Sequence, residues 1–138
     1  MNKNELITFI SETYNVKPDY PFYRDLDSCI FQQSDNQRWF AVFMKVSYQA
    51  LGITKNGEVD ILTLRYGAAI NSIINSNSGI HPAYLMDKDK WITIRLDGEI
   101  EQEKLISLIK GSYELTRSRA LRKRTIPKQV LKKREQNK

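Results

Sequence analysis

The sequence predicts an α+β fold, an antiparallel sheet with helices packed on one face. Three observations carry that expectation. Apolar residues recur at three- and four-residue spacing in three separate segments, the mark of amphipathic helices. Between them lie short alternating or continuous apolar runs rich in Val, Ile, Phe, Trp and Thr, which read as strands. The order is helix, three strands, helix, two strands, helix, too few crossover helices for a parallel sheet.

The first helix spans about Asn2 to Tyr14, with Leu6, Ile7, Ile10 and Tyr14 on one stripe. It stops before Pro18, because the residue preceding a proline is pushed out of the helical region. Tyr20-Pro21-Phe22 leads, extended, into a short strand over about Ser28 to Gln33. Ser34-Asp35-Asn36-Gln37 supplies a turn and Arg38 to Tyr48 a long strand. Strict alternation sends Trp39, Ala41 and Phe43 to one face and Phe40, Val42, Met44 and Val46 to the other. Apolar residues on both faces imply a central strand covered on both sides, at least in part. Glu58 to Arg65 forms the third strand, after a looser stretch with Gly52 and Asn56-Gly57.

A second helix is expected over Gly67 to Asn77 on the stripe Ile70, Ile73, Ile74, ended by a left-handed cap at Gly79. The segment from Ile80 to Ile94 then reads as a β-hairpin whose charged tip, Asp87-Lys88-Asp89-Lys90, projects between two apolar arms. Asp97-Gly98 closes it. The last helix runs from about Glu101 to Thr116 through Leu105, Leu108, Ile109, Ser112 and Leu115. Glu99, Glu101 and Glu103 near its start suit the positive end of the macrodipole. Gly111 within it costs about 1 kcal/mol relative to Ala, which suggests a close packing contact there.

A chain of 138 residues is one domain on the usual prior and buries enough surface for a core without disulfides or metal. No apolar run is long enough to cross a membrane, and Met1-Asn2-Lys3-Asn4-Glu5 does not resemble a signal peptide. The single Cys29 fits a reducing compartment, so a cytoplasmic location is expected. The net charge of +6 is unevenly shared. Residues 1–116 hold 12 Lys/Arg against 15 Asp/Glu, a net of −3, whereas 117–138 hold 10 against one, a net of +9. The reading is therefore a mildly acidic domain, 1–116, and a basic tail, 117–138, expected to be mobile or marginally helical alone.

Tyr20-Pro21-Phe22, Trp39-Phe40-Ala41-Val42, Ile61-Leu62-Thr63-Leu64-Arg65, the segment Tyr84 to Ile94 and Gly111-Ser112-Tyr113-Glu114-Leu115 together resemble the MmcQ/YjbR family of small bacterial proteins. The resemblance covers about residues 3–116. Its most specific piece is Tyr84-Leu85-Met86-Asp87-Lys88-Asp89-Lys90-Trp91-Ile92-Thr93-Ile94, and Ser112-Tyr113 is the next most telling. What it implies is a CyaY-like (frataxin-like) sandwich and DNA binding through paired hairpin wings. This chain departs from the pattern at Leu85 and Lys90, where the family has histidines. It departs again around the end of the third strand, where Thr63-Leu64-Arg65-Tyr66-Gly67 replaces a lysine and a proline, and in its tail.

Within the hairpin tip Lys88 and Lys90 can reach phosphates, but Asp87 and Asp89 cancel their charge, which favours a solvated turn. Trp91 can stack on a base or line the core. Arg65 keeps a positive charge at the end of its strand. The tail is the better candidate: Arg117, Arg119, Arg122, Lys123, Arg124, Lys128, Lys132, Lys133 and Arg134 suit non-specific phosphate contact with counterion release. Without aromatic residues the tail lacks a stacking platform. Its plain alternative is a solubilising extension.

An enzymatic reading finds little support. One histidine and one cysteine do not make the common zinc spacings, His81 beside Pro82 reads as a structural or solvated histidine, and Cys29 lies in an apolar strand. No phosphate-cradling glycine loop or nucleophile elbow is present. Glu5 and Glu12 are too few for an iron-binding ridge on the first helix. The expectation is thus a non-enzymatic DNA-binding protein without cofactor, metal or evident small-molecule substrate. The rival is an adaptor, or an RNA-associated protein, whose tail docks on an acidic partner. A basic face around Lys45, Arg65, Lys88 or Lys90, contiguous with the tail's exit, separates the two in favour of DNA.

Overall fold

Helix α1 (Lys3–Tyr14) starts on a capping box: the Asn2 side chain accepts from the Glu5 backbone N–H, and the Glu5 carboxylate accepts from the Asn2 N–H. This Asn-x-x-Glu spacing satisfies two of the four orphan donors at a helix start. The helix ends at Asn15, which takes the left-handed conformation before Pro18 is reached. The chain, seen here as a computed structural model, is described over residues 1–118.

Five strands follow the order β1-β2-β3-β5-β4 in one antiparallel sheet. They are β1 (Cys29–Gln32), β2 (Trp39–Ser47), β3 (Glu58–Arg65), β4 (Ile80–Pro82) and β5 (Trp91–Arg95). A 3₁₀ turn (Tyr48–Leu51) follows β2, helix α2 (Ile70–Asn75) precedes β4, and helix α3 (Gln102–Thr116) ends the fold. The architecture is α+β, with the predicted order of elements.

One sheet face meets the helices. Cys29, Phe31, Ala41, Phe43, Leu62, Leu64, Ile80, Ile92 and Ile94 form a single core with Leu6 and Ile10 of α1 and Leu105 and Ile109 of α3. Ile70, Ile73 and Ile74 of α2 close its rim. Phe31, Phe40 and Phe43 are fully buried, and truncating any of them to Ala would cost about 3–5 kcal/mol. The opposite face carries two smaller clusters covered by loops. Ile30, Val42 and Trp91 sit under Ala83, Met86 and Phe22, while Val46, Val59 and Ile61 sit under Tyr48, Leu51 and Ile53.

Several expectations change. Phe31 pairs with Ala41 but Gln32 pairs with Trp39, so Phe40 is an extra residue in a β-bulge. The bulge breaks alternation: Phe40 joins Ala41 and Phe43 in the helical core, and Trp39 packs with Val42 and Met44 on the other face. Second, α2 is one and a half turns rather than three. It begins after Ala69, itself left-handed at φ 67°, and ends at Ser76 in a right-handed conformation.

Third, Gly79 is therefore no helix cap. It is small because of its neighbours: a Cβ there would lie 2.8 Å from Ile100 Cγ1 and 2.9 Å from Glu99 Cβ. Gly111 reverses the same logic, since a Cβ on it would meet nothing within 4 Å; the expected packing contact does not exist. Fourth, the hairpin arms pair only over Ile80 to Pro82. Beyond them the chain folds back on the sheet, burying Ala83, and the Tyr84 N–H donates to the Thr93 hydroxyl at 2.8 Å. That hydroxyl also bonds Thr63 at 2.8 Å across the β3–β5 ladder, so a buried polar pair ties the loop to the sheet.

Candidate nucleic-acid interface

Antiparallel topology brings the start of β2, the end of β3 and the start of β5 to one end of the sheet. Ala41 pairs with Leu64 and Arg65 pairs with Trp91. Arg38, Arg65 and Lys90, far apart in sequence, therefore converge there. The ladder extends one bond further, from the Tyr66 N–H to the Lys90 carbonyl at 2.9 Å.

Lys90 is held by a tight turn. Its own N–H and that of Trp91 both donate to the Asp87 carbonyl, and the Asp87 carboxylate accepts from the Asp89 N–H at 2.9 Å. Aspartate at this position is an Asx-turn former, which explains Asp87 as a turn builder.

Helix α3 is fastened to the same end by polar side chains in place of a glycine cap. Buried Gln33 donates from Nε2 to the Tyr113 carbonyl at 2.8 Å and to Thr116 Oγ1 at 2.9 Å. Asn36 Nδ2 donates to the Thr116 carbonyl at 3.0 Å. The last carbonyls of a helix need such partners, and here the β1–β2 turn supplies them. Ser112, with no exposed surface, accepts from the Arg65 N–H and donates to the Phe40 carbonyl. The place where the chain leaves α3 is thereby set beside Arg38.

The result is an open groove of about 430 Å³ lined by Arg38, Trp39, Arg65 and Lys90, with Met86, Asp87, Trp91 and Thr116 completing it. Three cations face one carboxylate. Arg65 lies over the Trp91 ring, 5.9 Å from its centroid, a cation–π contact that orients the guanidinium. Trp91 is 8% exposed and belongs to the core beneath. Trp39 is half-buried and meets Phe22 edge-on, 6.2 Å between centroids.

Of the residues singled out from sequence, Arg65 and Lys90 come together in this groove, and Lys88 does not. Lys88 lies beside a different depression, with His81, Tyr84 and Leu85. Lys45 is 3.9 Å from Asp60, away from the groove. Arg117 folds back on α3, 3.3 Å from the Glu114 carboxylate and over the Tyr113 ring. Arg119, Arg122, Lys123, Arg124, Lys128, Lys132, Lys133 and Arg134 lie outside the described residues. Arg38 and Trp39 were not recognised from sequence as site residues. Their signal was an Arg-Trp pair following a polar turn, and it became readable only with the strand register.

The groups that a catalytic reading would use are committed elsewhere. His81 Nε2 accepts from Arg95 Nε at 3.0 Å, which places the ring proton on Nδ1. Burial, and then the Arg95 charge, hold its pKa below the ordinary value of 6.5, with Asp97 partly opposing them. Arg95 also donates to Asp97 at 2.8 Å and to the Ser78 carbonyl at 3.0 Å. Cys29 has no exposed surface, and burial pushes its thiol up to about 11. Among the described residues no three His, Cys, Asp or Glu side chains gather closely enough to hold a metal ion, and no helix is long and apolar enough to cross a membrane.

No protein-family model matches the chain. The crystal structure of a structural-genomics target from Pseudomonas syringae is 35% identical and superposes with a TM-score of 0.81, covering 85% of this chain and all of that one. A solution NMR structure of the target gives 34% identity and a TM-score of 0.77. The uncharacterized protein YyaQ of Bacillus subtilis is 29% identical over 117 residues, 85% of this chain and 99% of its own. A Deinococcus radiodurans protein with a DUF419 domain shares the fold at 24% identity and a TM-score of 0.64, over 88% of this chain and 85% of its own.

Proposed function

The chain belongs to the same family as the Pseudomonas syringae protein, and on that premise we propose that it is a non-enzymatic cytoplasmic DNA-binding protein of the MmcQ/YjbR type, with a CyaY-like sandwich as its scaffold. Binding is mainly electrostatic. The observation that carries the reading is the contiguity of Arg38, Arg65 and Lys90 with Thr116, the last helical residue before a segment with a net charge of +9. An otherwise acidic domain presents its groove cations where the basic tail begins. Phosphates bound in the groove would lead the backbone toward the tail, so the two contribute to one footprint.

Such binding releases counterions, and log affinity falls with log salt at a slope of about −0.9 per phosphate neutralised on duplex DNA. Three groove contacts and a few from the tail predict a slope of about −5. The test is fluorescence anisotropy with duplex DNA at several salt concentrations, using full-length protein. Replacing Arg38 and Lys90 by Ala should flatten the slope by about 2. Replacing the tail's Lys and Arg by Gln should flatten it further. A slope unchanged by both sets, or no binding in low salt, rejects the reading. Capture of an acidic protein, with no affinity for any nucleic acid, would favour the adaptor instead.

A further inference from the structure

Resting on that reading, we infer that the groove itself takes single-stranded nucleic acid, with one base stacked on Trp39 and the flanking phosphates held by Arg38, Arg65 and Lys90. Three observations point this way. The first is the aromatic face. Trp91 is covered by Arg65 and buried, so it offers no stacking surface. Trp39 is raised onto the loop-covered face by the bulge at Phe40 and remains partly open within the cationic groove. Base–aromatic stacking beside a basic track is the usual chemistry of single-strand binding, because every base exposes a π face once unpaired.

The second observation is shape. Reading a duplex from its major groove takes a helix or a two-stranded ribbon standing out from the body. Among the described residues the hairpin segment 83–90 is anchored to the sheet at its base: Ala83 is buried, the Tyr84 N–H bonds the Thr93 hydroxyl, and strand pairing ends at Pro82. A recess of about 430 Å³ is a small-molecule-sized site, suited to one unstacked base. The third is charge placement. Arg65 is oriented by its contact with Trp91 and by the Ser112 bond to its backbone, so a cation stands preset beside the base site. Asp87 in the same wall accepts from the Asp89 N–H, and the three cations outweigh it.

The experiment titrates full-length protein with a labelled oligothymidylate of about fifteen nucleotides, and with the corresponding duplex, in the same buffer. Oligothymidylate should bind the more tightly. Trp39→Leu should weaken oligothymidylate binding about tenfold, with an unchanged salt slope, and Trp39→Phe should restore most of the loss. In the Trp91→Phe variant Trp39 is the remaining tryptophan, and its emission should be quenched as oligothymidylate is added. This second readout holds whether or not Trp39→Leu folds. Duplex binding equal to or tighter than single-strand binding, or unquenched Trp39 emission at saturation, overturns the stacking site. In either case duplex binding that still depends on Arg38 and Lys90 leaves the broader reading standing. Failure to bind any nucleic acid overturns both.

Discussion

Replacing Ser112 by Ala should cost far more stability than a serine hydroxyl on a helix normally does. In the β2–β3 ladder the last regular pair is Ala41 with Leu64, so Phe40 and Arg65 are the next rung. The bulge opens that rung, and the Ser112 hydroxyl fills it, accepting from the Arg65 N–H at 2.9 Å and donating to the Phe40 carbonyl. Alanine removes both bonds at once and leaves two backbone groups in a site without exposed surface. An unsatisfied buried group costs about 1–3 kcal/mol. For two such groups the expected loss is therefore about 2–6 kcal/mol, reduced by about 0.5 kcal/mol for the better helix propensity of Ala. Urea denaturation followed by far-ultraviolet circular dichroism measures it. With a slope of about 1.5 kcal/mol per molar, the midpoint should fall by roughly 2 M. Ser107→Ala, at an exposed position of the same helix, makes the same chemical change without a rung to break and should shift stability by no more than about 0.5 kcal/mol. If the two variants denature together, the strands close the rung unaided, and the bridging role assigned to Ser112 is wrong.

Three further expectations follow from particular sites. Gly111→Ala should stabilise by about 0.5–1 kcal/mol, since a Cβ there meets open space; a lowered thermal midpoint would show that a contact had been missed. His81 is held neutral when folded, its pKa below 6.5, so the unfolded chain binds more protons as pH falls. Its contribution is present above 6.5 and is lost as pH falls through the folded value. Denaturation midpoints should therefore drop from pH 7 toward pH 5, with a smaller drop in His81→Gln; equal drops would show that other groups set the acid sensitivity. Cys29, with its thiol near 11 and no exposed surface, should be inert to Ellman's reagent at pH 8 and react fully in denaturing urea. Rapid reaction of the native protein would mean that β1 opens readily.

Much of the fold was legible one segment at a time. Glu58 to Arg65 was read to the residue, because its ends are marked by Asn56-Gly57 and by Tyr66-Gly67, and the helix from Lys3 to Tyr14 is marked by its stripe and by Pro18. What failed were inferences from local pattern to three-dimensional neighbours. A bulge has no periodic signature, so Trp39 went to the wrong face. Gly79 and Gly111 look alike in sequence, yet one sits against Ile100 and the other faces solvent. Of the candidate site, Arg65, Lys90 and the tail were named from charge, and Arg38 and Trp39 were not.

The division has a physical basis. Helix and strand periods, proline and Asx turns and the charge step after Thr116 are set by each residue and its near neighbours, so the sequence alone determined the element order and the basic tail. Strand register, the bulge at Phe40 and the fastening of α3 by Gln33 and Asn36 depend on pairings between residues up to 83 positions apart. Only the tertiary structure could decide those, and with them the convergence of Arg38, Trp39, Arg65 and Lys90 on one groove.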